Sequence, residues 1–354
     1  MDSKTLLFDL LSIDSPTFKE KEKADFLETW CETEFPTFNK HRIGNNIILA
    51  TNNDHNIRLG FVGHIDHVPE FFSPYEEDGK IHGAGASDMQ AGLACFLAFV
   101  KNHPSLAKRY DITIILYDKE EGTTLHDNGL KECINSHKEL ISTIDLAVVA
   151  EPTNNAIQLG CVGSLHATLT VKGKAAHSAR PWHGKNALYE ALPIIDKAAK
   201  TDPVPHELFG VTFHDVLQIT ESCSTKGRTT LPEEWIANIN YRFSPVHNLD
   251  EAIQYVEDFV SSSNLTNYKL DILNGVEAGK VIDHPLLTDI LTNSNIKVEA
   301  KQAWTDVSQL TQLGLSAFNF GPGRQDQAHK PNEYVVYEDM VEYEKLLEKI
   351  LLGD

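Results

Sequence analysis

The sequence predicts an α/β protein whose mostly parallel sheet carries helices on both faces. Short apolar runs, of the kind that form buried strands, alternate with segments that have helical spacing of apolar residues. This alternation is typical of βαβ units and therefore of a parallel sheet. The middle of the chain instead alternates apolar and polar residues, which predicts half-exposed antiparallel strands. We therefore expect a smaller α+β domain inserted into the first.

The predicted elements can be assigned in chain order. Helical spacing covers 4–13, 19–34 and 89–100. Buried strands are predicted at 46–50, 59–62, 112–117, 146–150 and 317–320. Alternation predicts strands at 165–172 and 235–243, and a helical stretch follows each of them, 186–200 and 249–262. These middle elements fit a β-α-β-β-α-β insert at 166–275, so the sheet domain comprises 1–165 and 276–354.

Composition excludes several classes of protein. The chain has 354 residues, 41% of them apolar, which suits about two packed domains. Its net charge of −20 disfavours binding to nucleic acid or to an anionic membrane. No apolar run reaches the length of a membrane span. The five cysteines are scattered and form no C-x-x-C motif, so we expect no disulfide framework and a cytoplasmic location.

Potential metal ligands follow the predicted strands. In open α/β sheets, ligands bind beyond the carboxyl ends of the strands. Residues at these positions, or just ahead of the helix at 89–100, are His64, Asp66, Asp88, Glu120, Glu121, Glu151 and His329. Taken singly, each has an ordinary explanation as a loop histidine, a helix cap, a turn or a solvated glutamate. Their shared position at strand ends favours a common site.

The residue types at this edge suit a metal centre. Two histidines and several carboxylates, without cysteine, are typical of Zn²⁺ or a similar first-row divalent ion. In His64-x-Asp66, the carboxylate can accept the second ring N–H of the histidine. Asp88, expected at a helix N-terminus, can bridge two cations. Glu120 and Glu121 are adjacent and cannot point alike, so one can bind metal while the other handles protons.

Seven stretches of the chain carry a resemblance to a known family. They are V-G-H-I-D-H-V-P at 62–69, G-A-S-D-M-Q-A-G at 85–92, D-K-E-E-G at 118–122, A-E-P-T at 150–153, A-H-S-A-R-P at 176–181, N-Y-R-F-S-P at 240–245 and A-H-K-P-N-E at 328–333. They resemble motifs of the M20 family of co-catalytic zinc amidohydrolases and peptidases, and the resemblance extends over nearly the whole chain. The resemblance implies a catalytic metal-binding domain of the dinuclear zinc-peptidase type and gives the insert the role of a lid and dimerisation domain.

The family pattern also implies a role for each matching residue. Asp88 bridges two divalent metal ions, which are expected to be Zn²⁺, although Co²⁺ can also bind. His64 and Glu151 complete one metal site, and Glu121 and His329 complete the other.

The remaining implied roles concern catalysis and substrate binding. Glu120 matches the general base and Asp66 the residue that orients His64. His177 matches a lid histidine that reaches the active site of the partner subunit in the family's homodimers. Arg242 matches a substrate-carboxylate binder. Further substrate contacts are expected from Asn240, on the same strand face as Arg242, from Arg180, and from Thr229, which stands where the family often has Asn.

Three further stretches indicate a particular branch of the family. They are G-C-V-G-S at 160–164, W-T-D-V at 304–307 and N-F-G-P-G at 319–323. They resemble the branch that removes succinate from N-succinyl-LL-2,6-diaminopimelate to give LL-diaminopimelate, in lysine and cell-wall precursor synthesis. The implied mechanism uses a metal-activated water, with Glu120 as the base. The expected partner is thus a small acylated amino acid. Alternatives are N-acetylornithine deacetylation, an aminoacylase, a dipeptidase, or a non-catalytic metal-binding protein on the same scaffold.

Overall fold

The computed structural model describes residues 2–68 and 70–353. Pro69, the last residue of the motif at 62–69, lies outside the described residues. The chain forms two compact units. The sheet unit comprises the chain up to Gly160, Lys280–Glu299 and the chain from Thr305 onwards, and the inserted unit comprises Cys161–Gly279 and Ala300–Trp304. The predicted division into a catalytic domain and a lid or dimerisation domain, at 165/166 and 275/276, stays a prediction.

The strands of the described residues are numbered in chain order. They are β1 Asn39–Ile43, β2 Asn46–Ala50, β3 Arg58–His64, β4 Tyr75–Glu77, β5 Lys80–His82, β6 Asp111–Tyr117, β7 Leu146–Val149, β8 Ile157–Leu159, β9 Gly163–Lys172, β10 Val204–Leu208, β11 Val211–Ser224, β12 Glu234–Phe243, β13 Tyr268–Val276, β14 Val298–Ala300, β15 Ser316–Asn319 and β16 Tyr334–Val336.

The helices are numbered in the same way. They are α1 Ser3–Leu11, α2 Lys21–Glu34, α3 Ala91–Asn102, α4 Gly129–Ser136, α5 Lys138–Ile141, α6 Ala187–Glu190, α7 Leu192–Ala199, α8 Leu249–Ser261, α9 Pro285–Asn293, α10 Val307–Gln312 and α11 Tyr337–Leu352. Among the helices of the described residues, none combines the length and the apolar character needed to cross a lipid bilayer.

An eight-stranded sheet of order β1-β2-β6-β3-β7-β15-β8-β14 forms the sheet unit. Its four central strands, β6, β3, β7 and β15, run parallel, whereas β1, β2 and β8 pair antiparallel with their neighbours. All residues of β6 and β7 are buried, as is usual for parallel strands covered on both faces. The predicted α/β fold class is confirmed.

The inserted unit has a five-stranded sheet of order β10-β11-β12-β9-β13, in which neighbouring strands pair antiparallel. Buried and half-buried residues alternate along β9 and β12, because side chains on a strand point alternately to opposite faces. The buried face packs against α6, α7 and α8. The predicted alternation at 165–172 and 235–243 is confirmed.

Two features of the inserted unit correct the prediction. The helix predicted at 186–200 is divided into α6 and α7, because Pro193 lacks an N–H and cannot continue a helix that begins before it. The edge strand β10 was not predicted, so the order is β-α-α-β-β-β-α-β. Its sequence, V-P-H-E-L, contains Pro205, which an edge strand tolerates because one side of the strand needs no ladder hydrogen bonds.

Candidate metal centre

The residues predicted to bind metal lie at the carboxyl ends of the central parallel strands. His64 is the last residue of β3, Glu120 and Glu121 follow the end of β6, and Glu151 follows the end of β7. These strands are neighbours in the sheet and point the same way. Their ends therefore meet at one edge, where open α/β sheets bind ligands.

Asp88 lies between the two predicted metal histidines. Its Oδ1 atom is 3.4 Å from Nε2 of His64, and its Oδ2 atom is 3.6 Å from Nε2 of His329. Nε2 of His329 also lies 3.0 Å from Oε2 of Glu121. His64, Asp88 and Glu121 each offer one ligand atom, and these atoms lie within 4.8 Å of one another. One carboxylate thus faces an imidazole on either side, as a residue that bridges two cations must.

Asp66 fixes both the histidine and the glutamate pair. Its carboxylate is fully buried, with Oδ1 3.4 Å from Nδ1 of His64. The backbone N–H groups of Glu120 and Glu121 donate to the same carboxylate at 3.2 and 3.0 Å, and the hydroxyl of Thr17 donates at 3.0 Å. A metal-binding imidazole is usually oriented by such a partner on its other ring nitrogen. Nε2 of His64 is therefore the nitrogen available to a metal.

The electrostatics of Glu120 suit a proton-transfer group. Burial raises the pKa of this carboxyl well above its usual range. The negative charges of Glu121, Asp306 and Glu151 raise the pKa further, whereas His64 lowers it. Crowded buried carboxylates cannot all ionise without a nearby positive charge.

The histidines carry the complementary shifts. Hydrogen bonding with Glu121 raises the pKa of His329 to about 9. Burial opposes protonation of His64, but hydrogen bonds with Asp66 and Asp88 raise its pKa well above the usual range. Both shifts show that the surrounding carboxylates favour positive charge at the two imidazoles.

The loop that carries Asp88 is held by Glu333, whose side chain is fully buried. Its Oε2 atom accepts from the N–H of Gly85 at 2.9 Å. Its Oε1 atom accepts from the N–H groups of Ser87 and Asp88 at 2.7 and 2.8 Å. The predicted helix start at residue 89 is corrected here: α3 begins at Ala91, and Asp88 lies in a wider turn, Ala86–Gln90, with non-helical backbone angles.

Two glycines after β15 allow another loop to approach the same place. A Cβ atom on Gly323 would lie 2.0 Å from the carbonyl oxygen of Ser87, and one on Gly321 would lie 2.6 Å from the carbonyl oxygen of Glu151. Both distances are shorter than any side chain permits. Glycine at these positions lets the 321–323 turn pack directly against the segments that carry Asp88 and Glu151.

The donor set fits divalent cations. Carboxylates outnumber imidazoles among the buried groups, and the carboxylates raise one another's pKa values, as expected where a positive ion is needed. Imidazole and carboxylate donors without thiolate suit first-row divalent ions. Glu151 is buried, and its charge acts on Glu120 and Tyr117, so it belongs to the same cluster.

The remaining predicted site residues belong to the inserted unit. His177, Arg180 and Thr229 are all exposed. The segment that carries His177 runs beside the segment after β11: His177 pairs with Thr230, and the N–H of Ser178 donates to the carbonyl of Thr229 at 2.8 Å. These side chains are therefore presented on one exposed surface of the inserted unit.

Arg242 and Asn240 lie on the polar face of β12. Arg242 is half-buried, and its Nε–H donates to Oδ1 of Asn240 at 3.2 Å. Burial lowers the pKa of the guanidinium. Within residues 2–68 and 70–353, Arg242 forms no ion pair with a carboxylate. A partly desolvated cation in this state can bind an anionic ligand.

Three residues that support the cluster were not predicted individually. Glu333 holds the Asp88 loop, Thr17 donates to Asp66, and Asp306 adds negative charge beside Glu120. Glu333 and Asp306 do lie inside quoted motifs, at 328–333 and 304–307, so the motifs contained the signal. Thr17 has no such signal in the sequence.

The chain belongs to the M20 family, because the family described as "Peptidase family M20/M25/M40" matches residues 60–353. The predicted family is therefore confirmed. This family, together with curated relatives that are named desuccinylases, identifies the chain as a metal-dependent amide hydrolase, as predicted.

Similar curated proteins point to one branch of the family. A succinyl-diaminopimelate desuccinylase of Corynebacterium glutamicum is 34% identical over 352 residues, which cover 97% of this chain and 94% of that protein. A putative succinyl-diaminopimelate desuccinylase of Mycobacterium tuberculosis is 31% identical over 347 residues, 97% of this chain and 96% of that protein.

Solved structures share the fold. The aminopeptidase PepT of Bacillus cereus is similar with a TM-score of 0.77 at 14% identity, over 99% of this chain and 97% of that one. YXEP of Bacillus subtilis, described as a dinuclear metal-binding peptidase of the M20 family, has a TM-score of 0.68 at 12% identity, over 99% and 97% of the two chains. At these identities the likeness concerns the fold alone.

Proposed function

We propose that this enzyme hydrolyses N-succinyl-LL-2,6-diaminopimelate to succinate and LL-diaminopimelate, with two divalent metal ions bound at the candidate metal centre. The observation that carries the proposal is the 34% identity to the Corynebacterium desuccinylase over 97% of the chain. The cluster around Asp88 supports it, because each predicted metal ligand is buried there or contacts a buried ligand.

The proposed ligand sets follow the arrangement around Asp88. Asp88 would be shared by the two ions, His64 and Glu151 would hold one of them, and Glu121 and His329 would hold the other. Zn²⁺ is the proposed ion and Co²⁺ an effective substitute. Two such cations, when bound, polarise the amide carbonyl and lower the pKa of a water molecule towards about 7.

Glu120 is the proposed general base. Its carboxylate takes a proton from the attacking water as the C–O bond forms, and it returns that proton to the amine nitrogen as the amide C–N bond breaks. One water is consumed, and succinate and a free amino group are produced. Its raised pKa suits this role, because a more basic carboxylate is a stronger proton acceptor. Asp66 keeps the backbone of the glutamate pair in place.

Substrate recognition is assigned to the polar residues of the inserted unit. Arg242 binds a substrate carboxylate, and it is suited to this because it is half-buried and lacks a carboxylate partner among the described residues. Asn240 orients its guanidinium. Arg180 and Thr229 are proposed as further contacts.

His177 is proposed to act in a homodimer, where it reaches the active site of the partner subunit and stabilises the developing oxyanion. Its exposed position on the inserted unit is compatible with such a role. The cytoplasmic location is part of the same proposal, and five cysteines that form no disulfide among the described residues suit a reducing compartment.

A substrate panel tests the proposed function. The zinc-loaded enzyme is assayed with N-succinyl-LL-diaminopimelate, N-acetylornithine, several N-acetyl amino acids and a dipeptide, with and without a chelator. We expect the highest kcat/KM for the succinylated substrate and loss of activity with the chelator.

Two results would overturn parts of the proposal. Preference for another substrate on the panel would keep the metal-dependent hydrolysis and assign a sister activity of the family. Hydrolysis that persists after complete metal removal, verified by elemental analysis, would contradict the metal-dependent mechanism itself.

A further inference from the structure

A second group of potential metal ligands lies in the inserted unit, among residues that the proposed reaction does not use. His206 of β10, Asp215 of β11 and His247, which follows β12, each offer one ligand atom, and these atoms lie within 4.8 Å of one another. Nε2 of His206 is 3.0 Å from Oδ2 of Asp215, and Nε2 of His247 is 3.2 Å from the same oxygen.

We propose that His206, Asp215 and His247 bind a first-row divalent transition-metal ion, with Zn²⁺ as the reference ion. Two imidazoles and one carboxylate form a common three-ligand set for such ions, with a fourth position left to water. At metal–ligand distances of about 2.0–2.1 Å, the ligand atoms of a tetrahedral site lie about 3.3 Å apart. The two distances to Asp215 are close to that spacing, so small side-chain adjustments complete the site.

Asp215 is held in a fixed orientation. The N–H of Ser244 donates to its Oδ1 atom at 2.6 Å, and the hydroxyl of Tyr241 donates to its Oδ2 atom at 3.0 Å. The carboxylate is buried, with only 8% of its surface exposed. Ligand carboxylates are typically fixed in this way by outer hydrogen bonds, which reduces the cost of ordering them around an ion.

The histidines are oriented around the same point. Their rings are nearly perpendicular, at 89°, with centroids 5.3 Å apart, so both Nε2 atoms converge on Asp215 without stacking. The other ring nitrogen of His247, Nδ1, lies 3.9 Å from Oε2 of Glu251. At this distance the two groups are not hydrogen-bonded, and Glu251 contributes negative charge beside the imidazole.

The site is open to ions from solvent. It lines a cleft of about 240 Å³ whose walls include Val204 and Tyr255. The side chains of His206 and His247 are 23% and 36% exposed. None of the described residues that line the cleft is Lys or Arg, and Glu251 adds a second negative charge. The electrostatic environment therefore favours a cation.

A metal ion here would link three segments of the inserted unit. It would connect edge strand β10, its neighbour β11 and the segment between β12 and α8. An edge strand has a backbone partner on one side only, so a metal cross-link would stabilise it. We therefore assign the ion a structural role that is independent of the hydrolytic reaction.

The test compares metal content in two backgrounds, because the candidate metal centre also binds metal. His206→Gln and His247→Gln are made in the wild-type chain and in a His64→Gln/His329→Gln chain. His214→Gln, next to Asp215 on β11, is the matched control. After equilibrium dialysis against micromolar Zn²⁺, metal per chain is measured by elemental analysis, and Tm is measured with and without Zn²⁺.

We expect each of the two variants to bind one equivalent of Zn²⁺ less than its parent in both backgrounds, while the control matches its parent. Zn²⁺ should raise the Tm of the His64→Gln/His329→Gln chain, and His247→Gln should abolish that increase. In the wild-type background, His247→Gln should leave kcat unchanged.

Unchanged metal content in both variants would overturn the proposal. So would a lower Tm without any change in metal content, because that result would identify the cluster as a hydrogen-bonded network only. If the wild-type enzyme hydrolyses no substrate of the panel but still binds the ion at His206, Asp215 and His247, the proposed function is contradicted. The metal site of the inserted unit is then still supported.

Discussion

Glu333 shows how one buried side chain can support a metal centre without binding the metal. Its two oxygens accept three backbone N–H groups of the loop that carries Asp88. Burial and the charge of Asp88 raise its pKa to about 8, and the three N–H donors oppose that rise because they stabilise the ionised carboxylate. The position of the proposed bridging ligand therefore depends on this contact.

Glu333→Gln should weaken metal binding. The amide places an NH₂ group against at least one of the three N–H donors, so the Asp88 loop is displaced. We expect metal affinity to fall about 10–100-fold, as for other outer partners of metal ligands. Competition with a chromophoric chelator measures this, and Glu139→Gln, an exposed change, is the control. Wild-type affinity in Glu333→Gln would contradict the assigned role.

Arg242 should contribute to substrate binding. If it binds a substrate carboxylate, Arg242→Ala should lower kcat/KM for the succinylated substrate about 10–100-fold, because hydrogen bonds to charged groups contribute about 1.5–3 kcal/mol. Steady-state kinetics measure the effect, with Lys269→Ala on the exposed part of β13 as the control. Unchanged KM and kcat in Arg242→Ala would show that Arg242 does not bind the substrate.

Helix α2 contains a buried charge that influences stability. Lys23 is fully buried, and its Nζ atom has no hydrogen-bond partner among the described residues. Burial lowers its pKa from 10.5 to about 7. The unfolded chain therefore binds more protons than the folded chain between these values. The stability associated with Lys23 is fully present above about pH 10.5, and it is lost as the pH falls through about 7.

Lys23→Met should remove this pH dependence. At pH 6–7 the variant should be more stable than the wild type by about 1–3 kcal/mol, the usual cost of an unpaired buried polar group. The difference should shrink as the pH rises towards 9. Urea unfolding at several pH values measures it, and Lys21→Met, which is 79% exposed on the same helix, is the control. A constant difference across this pH range would contradict the prediction.

The elements differ in how far the sequence predicts them. Strands β3, β6 and β7 are continuous apolar runs and were predicted, because parallel strands are buried on both faces. β1 was missed, because N-K-H-R-I has no apolar pattern and none of its residues is fully buried. β10 was missed for the same reason. Both strands form because each pairs with a neighbouring strand, and the local sequence does not report such pairing.

The candidate site was predicted to a similar extent. The residues around Asp88 could be predicted because they follow the ends of predicted parallel strands. The topology of a parallel sheet brings the carboxyl ends of its strands to one edge. The supporting contacts of Glu333 and Thr17 depend on residues far apart in the chain, 245 positions for Asp88–Glu333 and 49 for Thr17–Asp66, and no local pattern reports them. The cluster of His206, Asp215 and His247 was missed likewise, because it needs the pairing of β10 with β11.

At the scale of the whole molecule, metal uptake should be coupled to proton release. Hydrogen bonds with carboxylates raise the pKa values of His64 and His329, and metals bind neutral imidazole. Because the pKa of His329 is about 9, metal binding at pH 7 should release at least one proton. For each proton released, metal affinity should fall about tenfold with each pH unit below about 9.

Calorimetry in buffers of different ionisation enthalpy measures the protons released. His329→Gln should release fewer protons than the wild type, whereas His126→Gln, an exposed change, should match it. Metal uptake without proton release at pH 7 would show that neither histidine exchanges a proton for the metal.

Glu120 is proposed to transfer the proton at a metal centre built by other residues. Glu120→Gln in the metal-loaded enzyme tests it most directly, with metal content and kcat measured on the same sample and Glu139→Gln as the control. We expect the variant to keep the metal content of the wild type, with kcat reduced about 10²–10⁴-fold, the usual contribution of general acid–base catalysis. Near-normal kcat with the metal content of the wild type would contradict the role of Glu120 as the general base.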